Sequence, residues 1–205
     1  MAGRGIFASV ANSSTNNKSD FFKKGSGRAV VLEMLHKNSD QNGLVFVMRA
    51  LILSSRKKDE AVIPNSPGDV VGWPQLLEHP KMKKMAQQNV KTALLNITGT
   101  KESEVTEAQF VELWEDAINY EPGTISEYNQ RKIEKVQDLR GFLFDFDTYD
   151  QQTKDQKAAD KAAIDSGKTP PKQTNTYVNF AFVPDQGDLE ARIKDLDKTH
   201  PVRGG

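Results

Sequence analysis

Residues 28–54 read RAVVLEMLHK, NSDQNG, LVFVMRALILS: two long apolar runs around a polar break. The break ends in Asn42-Gly43, a pair that tolerates positive φ and closes hairpins. The first run, Arg28 to Lys37, and the second, Leu44 to Ser54, are therefore expected as strands one and two of an antiparallel hairpin. The second run is apolar on both faces: Leu44, Phe46, Met48 and Ile52 alternate with Val45, Val47, Leu51 and Leu53. Such a strand must be covered twice, so a helix or arm should pack outside the sheet as well as inside it. Arg49 alone interrupts it.

Upstream, residues 1–26 are rich in Gly, Ser and Asn and are expected to form a flexible arm. Ile6, Phe7, Phe21 and Phe22 could still dock it on something. Downstream, Arg56 to Glu60 is a charged loop, Pro67-Gly68-Asp69 a turn, and Val70 to Trp73 a short third strand. A helix is expected to follow, with Pro80 at its first position, where the missing N–H costs nothing. Met82, Met85, Ala86, Val90, Ala93, Leu94 and Ile97 recur at helical spacing, and Gly99 closes it. Thr106-x-x-Gln109 is a capping box opening a second helix with Phe110, Leu113, Trp114, Ala117 and Ile118 on one face. A third helix is expected over Ser126 to Val136.

Two aromatic strands end the series. Leu139 to Tyr149 carries Phe142, Phe144 and Phe146 in alternation, and Thr176 to Pro184 carries Val178, Phe180 and Phe182. Both rows should face one interior. Between them, 150–174 is polar and nearly free of large apolar residues, so a mobile loop is expected, with a transient helix at most in its Ala-rich part. The tail from Asp185 holds a short amphipathic stretch at Leu189, Ile193 and Leu196.

The order implies an α+β chain, mainly β with a helical insertion: a five-stranded OB-like barrel with helices between strands three and four. The domain map is an arm at 1–26, a barrel at 27–184 and a C-terminal tail at 185–205. Lys and Arg number 28, as do Asp and Glu, so net charge is zero; only a local clustering of cations could attract a polyanion. There is no cysteine, the three histidines are far apart, and no apolar run is long enough to cross a membrane. A cytoplasmic location and no membrane partner are expected.

A resemblance sharpens this. Pro67-Gly68-Asp69-x-Val71-x-Trp73, then Lys81 to Lys84, Asn89-Val90-Lys91 to Gly99, and Arg140-Gly141 before an aromatic strand are similar to bacteriophage-type single-stranded DNA-binding proteins with an OB fold. The likeness covers roughly Gly27 to Pro184. It implies sequence-tolerant binding of single-stranded DNA in phage replication or recombination, in the host cytoplasm. It is also compatible with a homo-oligomer or with replication proteins as partners.

Such binding needs cations along a backbone groove and aromatic faces for bases. The candidate nucleic-acid-binding residues are Arg49, Trp73, Lys81, Lys83, Lys84, Arg140, Tyr149 and Tyr177. Arg28, Lys37, Arg56, Lys57, Lys58 and Lys91 are further cations within reach of a groove. Tyr177 lies opposite the Phe180 row and so should face out. The plainer reading, preferred for Trp73, makes it a core anchor and the lysines a solvated face. Arg49, a lone charge in an apolar strand, needs a partner.

Phe142 to Thr148 also matches a strand-then-DxDxT phosphatase motif, whose first Asp would be a nucleophile. It falls too late in the chain, and no later Asp pair on an apolar strand would hold magnesium. No catalytic residue, metal or cofactor is therefore expected. The other function class open to this sequence is a phage virion structural or assembly protein, which the neutral charge and the N-terminal arm favour.

Overall fold

The computed structural model describes residues 21–39, 43–60, 62–110 and 139–201. Residues 1–20 of the expected arm, the helical expectations beyond Phe110 and the end of the tail lie outside them; residues 21–26, also expected in the arm, are within the fold, with Phe22 buried. Strands β1 (Ser26–Ser39), β2 (Gly43–Arg56) and β3 (Val70–Leu76) come first, followed by helix α1 (Lys83–Thr98). Then come β4 (Leu143–Gln151), α2 (Lys154–Asp165), β5 (Asn175–Phe182) and α3 (Leu189–Thr199). The strands form one antiparallel five-stranded sheet in the order β3-β2-β1-β4-β5.

Each strand anticipated from the sequence is present, with ends moved by a few residues. The β1–β2 hairpin closes at Ser39↔Gly43, and its register shifts twice, between Arg28 and Ala29 and between Val31 and Glu33. The second shift matters for charge. It leaves Leu32 without a ladder partner and sets Glu33 opposite Arg49. Gly27 is required by packing: a Cβ there would lie 2.0 Å from the carbonyl oxygen of Ser54.

The concave face holds the core. Phe46, Met48, Ala50 and Ile52 of β2 point into it, as do Phe144 and Phe146 of β4 and Phe180 of β5. Phe144 and Phe180 meet edge-on at 5.4 Å, so the two rows share one interior at their centres, whereas Phe182 at the end of β5 is exposed, against expectation. Phe22 joins them, with its ring 5.0 Å from Phe146 and 5.8 Å from Phe180. Helix α1 covers the same face through Ala86, Val90, Ala93, Leu94 and Ile97. Gly99 ends it in the left-handed region with φ 70°.

The convex face is covered as the doubly apolar β2 required. Helix α3 lays Leu196 against Val30 and Leu32, with Leu51, Val70 and Leu143 beside them. Ile193 and Leu196 are buried, which stabilises the docked helix by about 1.5–3 kcal/mol each. Gly141, at φ +84°, lets the helix in: a Cβ would lie 2.8 Å from Ile193.

Three expectations are corrected. The sheet is not closed into a barrel. β3 and β5 are its edges, and they approach where the Trp73 and Phe180 rings meet at 5.0 Å. The outer edge of β3 is taken by Phe21, which pairs in parallel with Gly72, and α1 covers the seam. Second, 150–174 is not a plain loop. Thr153 and Gln156 form a full capping box, and three helical turns follow through an Ala-rich stretch. Third, α1 starts at Lys83, after a turn in which the His79 carbonyl accepts from the N–H groups of Met82 and Lys83. Met82 and Met85 are consequently exposed instead of joining the core.

Candidate nucleic-acid interface

The seam between the β3 and β5 edges is the most site-like feature of the described residues. An open cleft of about 310 Å³ runs along it. One wall is aromatic: Trp73 from β3, Tyr149 from β4, Tyr177 from β5 and the exposed ring of Phe21. The α1 side is polar: Asn89, Thr92 and Asn96 face the cleft, and Thr176 and Asn179 of β5 also border it, Asn179 on the same strand face as Tyr177. Among the described residues, no charged side chain lines it.

Local structure explains the aromatic wall. Tyr149 and Tyr177 are paired residues on adjacent strands, so their rings stack at 5.6 Å and 23°. Alternation turns both away from the Phe rows. Trp73 does two jobs. Its ring packs edge-on against Phe46 at 6.1 Å and Phe180 at 5.0 Å, while its remaining surface borders the cleft. The core and ligand readings of this residue are thus compatible.

The polar wall follows from helical spacing. Asn89, Thr92 and Asn96 sit three and four residues apart, on the flank of the buried stripe of α1. Asn89 is positioned by its Nδ2, which donates to Gln75 Oε1 at 3.0 Å.

Next to the tyrosines, the acidic row of β4 is consumed by cations. Arg28 grips Asp145 through two bonds of 2.8 and 3.2 Å, which raises the guanidinium pKa above its ordinary value. Lys58 reaches Asp147, and Lys24 reaches Asp150 at 3.1 Å. The Asp150 carboxyl is held below the usual aspartate range, first by the Thr176 hydroxyl, which donates at 2.9 Å, then by Lys24. Among the described residues, no three His, Cys, Asp or Glu side chains are grouped to hold a metal ion. The chain matches no protein-family model, no curated protein and no solved structure.

The candidate residues therefore separate. Trp73, Tyr149 and Tyr177 converge on the cleft. Lys81, Lys83 and Lys84 are exposed at the entry to α1 and make no ion pair among the described residues. Lys84 lies about 8 Å along the helix axis from Asn89, at 1.5 Å per residue. The first turn of α1 holds no acid, so its lysines oppose the helix dipole. Their charge does nothing for the fold there and is available to an anion.

The two arginines belong elsewhere. Arg49 is on the convex face and pairs with the buried carboxylate of Glu33. Its partner is thus within the chain. The Arg140 side chain is 1% exposed; it donates to the Leu32 carbonyl, to Asp197 at 2.9 Å and to the His200 carbonyl at 3.0 Å. Arg140 anchors α3 and is removed from any surface. Of the wider cations, Arg28, Lys58 and Lys91 are likewise engaged, Lys91 with Glu102. Sequence reasoning overlooked Phe21 as a wall of the cleft and the amide row of α1. The Asn89-x-x-Thr92-x-x-x-Asn96 spacing was the signal that could have found the row.

Among the described residues, no helix is long and apolar enough to cross a membrane.

Proposed function

We propose that the protein binds single-stranded DNA with little regard to sequence, as a phage-type replication or recombination protein of the host cytoplasm. One observation carries the reading: Trp73, Tyr149 and Tyr177, three rings from three strands, border one open cleft. Sequence-tolerant binders stack bases on such rings, because every base has a π-face. The exposed lysines at the entry to α1 supply the charge that a strand leaving the cleft would need. The strand order suits a partly open, OB-like barrel whose seam between β3 and β5 is bridged by side chains in place of hydrogen bonds. Helix α2 then lies in the connection between strands four and five, one of the two that grip oligonucleotides in OB folds. The reading involves no catalytic step.

Fluorescence anisotropy with a labelled 30-nucleotide oligo-dT at several salt concentrations tests it. Log affinity should fall linearly with log salt, by about 0.7 per phosphate neutralised. No binding at low salt overturns the proposal and leaves the virion assembly role as the better account.

A further inference from the structure

A row of charges runs along β4 into the tyrosine pair. Asp145, Asp147 and Tyr149 alternate onto one face of the strand, successive members about 6.8 Å apart, and Asp150 follows at its end. Each carboxylate holds a cation from a different part of the chain. Arg28 of β1 grips Asp145 through two bonds of 2.8 and 3.2 Å. Lys58, from the loop after β2, reaches Asp147 and the Thr148 carbonyl. Lys24, just before β1, reaches Asp150 at 3.1 Å and Asp59 at 3.8 Å. Three cations thus gather beside the Tyr149–Tyr177 stack although the net charge of the chain is zero. The side chains of the three β4 pairs are between 29% and 50% exposed. Water screens such pairs, so little is lost when a cation changes partner. A phosphodiester is an anion that suits the same donors as a carboxylate. A strand also releases condensed counterions on binding, which a carboxylate of the chain does not.

We propose that Arg28, Lys58 and Lys24 form a phosphate track beside the tyrosine pair, and that Asp145, Asp147 and Asp150 occupy it until the phosphates of a strand displace them. The inference rests on the single-stranded DNA reading above and assigns backbone contacts to it. Bases stack at the rings while successive phosphates step along β4. The carboxylates work against the strand twice: they compete for the cations, and once displaced they repel the phosphates. Removing an aspartate should therefore tighten binding, and removing its cation should weaken it. If the pairs only held the loops around β4, neither change would alter affinity beyond the effect of any equally exposed charge.

The test titrates labelled oligo-dT by anisotropy at several salt concentrations with the full chain and with Asp147→Asn, Lys58→Gln and Asp195→Asn, each with a melting curve. Asp195 is the distant control: it is exposed on α3, which covers Leu143, about 20 Å along β4 from Tyr149. Asp147→Asn should bind about 3-fold tighter at low salt, the effect of one like charge roughly 6 Å from a phosphate in water. Lys58→Gln should bind more weakly and lower the salt slope by about 0.7, one phosphate contact. Asp195→Asn should stay within about 1.5-fold of the parent, because salt screens a charge that far away. The track is overturned, with strand binding intact, if Asp147→Asn binds no tighter than the parent or than Asp195→Asn. An unchanged slope in a folded Lys58→Gln overturns it too. Should either variant unfold, the neighbouring pair decides: Asp145→Asn must tighten binding and Arg28→Gln must lower the slope, or the track is wrong. Failure of the parent to bind at low salt overturns the underlying reading itself.

Discussion

The two faces of the sheet treat polar groups in opposite ways. On the convex face, under α3, even isolated charges are satisfied: Arg49 holds Glu33, and Arg140 holds Asp197 and two backbone carbonyls. At the seam between β3 and β5, the rings of Trp73, Tyr149 and Tyr177 are left part-exposed, and Asn96 and Asn179 stand open to water. The first region uses polarity to fix the fold. The second leaves its polar groups and part of its rings to the solvent. The difference separates anchors from site residues better than residue type does, because arginine appears in the first region and asparagine in the second.

The comparison breaks most easily at its anchors. Arg140→Ala should destabilise the protein by about 3–5 kcal/mol, because it strands Asp197 and opens a buried hole beneath α3. Phe144→Ala should cost a similar amount by lost transfer energy plus a cavity. Chemical denaturation checks both. A loss near zero for Arg140→Ala would mean that α3 is not clamped as described, and the arginine would return to the list of surface cations.

Site residues should behave differently. Trp73→Ala should weaken oligo-dT binding by about 5- to 150-fold, the equivalent of about 1–3 kcal/mol for a stacked base. Because Trp73 also touches Phe46 and Phe180, this variant should lose some stability, so its melting curve must be read beside its affinity.

Smaller effects sharpen the contrast at the lysines. Lys83→Gln and Lys84→Gln should each lower the salt slope by roughly one phosphate contact. Each should also leave the fold unharmed or stabilise α1 by a few tenths of a kcal/mol, up to about 1, by relieving the dipole. Weaker binding with a higher melting temperature is the signature of a cation kept for a ligand. A lower melting temperature would make these lysines structural.

The smallest effect concerns Asp150. Its pKa is lowered in the fold, so its bonds to Thr176 and Lys24 stabilise the protein above the ordinary aspartate value of 3.8. That contribution is lost as pH falls through the lowered value. The carboxylate is partly exposed, so the pair is worth at most about 1 kcal/mol. Acid titration of Asp150→Asn against the parent should show a slightly shallower stability loss below about pH 4. Identical acid limbs would mean that the Thr176 and Lys24 contacts contribute nothing.

Local signals in the sequence were read well and long-range ones were not. Alternation located all five strands, and Leu189, Ile193 and Leu196 marked α3. The Thr153-x-x-Gln156 box was as local as the one at Thr106, yet the polar composition of 150–174 obscured it. The partners of Arg49 and Arg140 could not be read from spacing. Glu33 is 16 residues from Arg49 and is brought opposite by a bulge, while Asp197 is 57 residues from Arg140. Closure failed for a similar reason: nothing in Val70 to Trp73 announces that Phe21 will take the edge at Gly72. Trp73, Tyr149 and Tyr177 were each chosen from their own strand, and only the sheet order brings them to one cleft.

The central claim is that single-stranded DNA stacks at this seam. Its most direct test is a side-by-side titration of labelled oligo-dT with the parent and Tyr177→Ala at low salt, each with a melting curve. The account predicts at least about 5-fold weaker binding in a variant that remains folded at the assay temperature, with its midpoint lowered only by the loss of the Tyr149 stack. Equal affinity in a folded variant would contradict it.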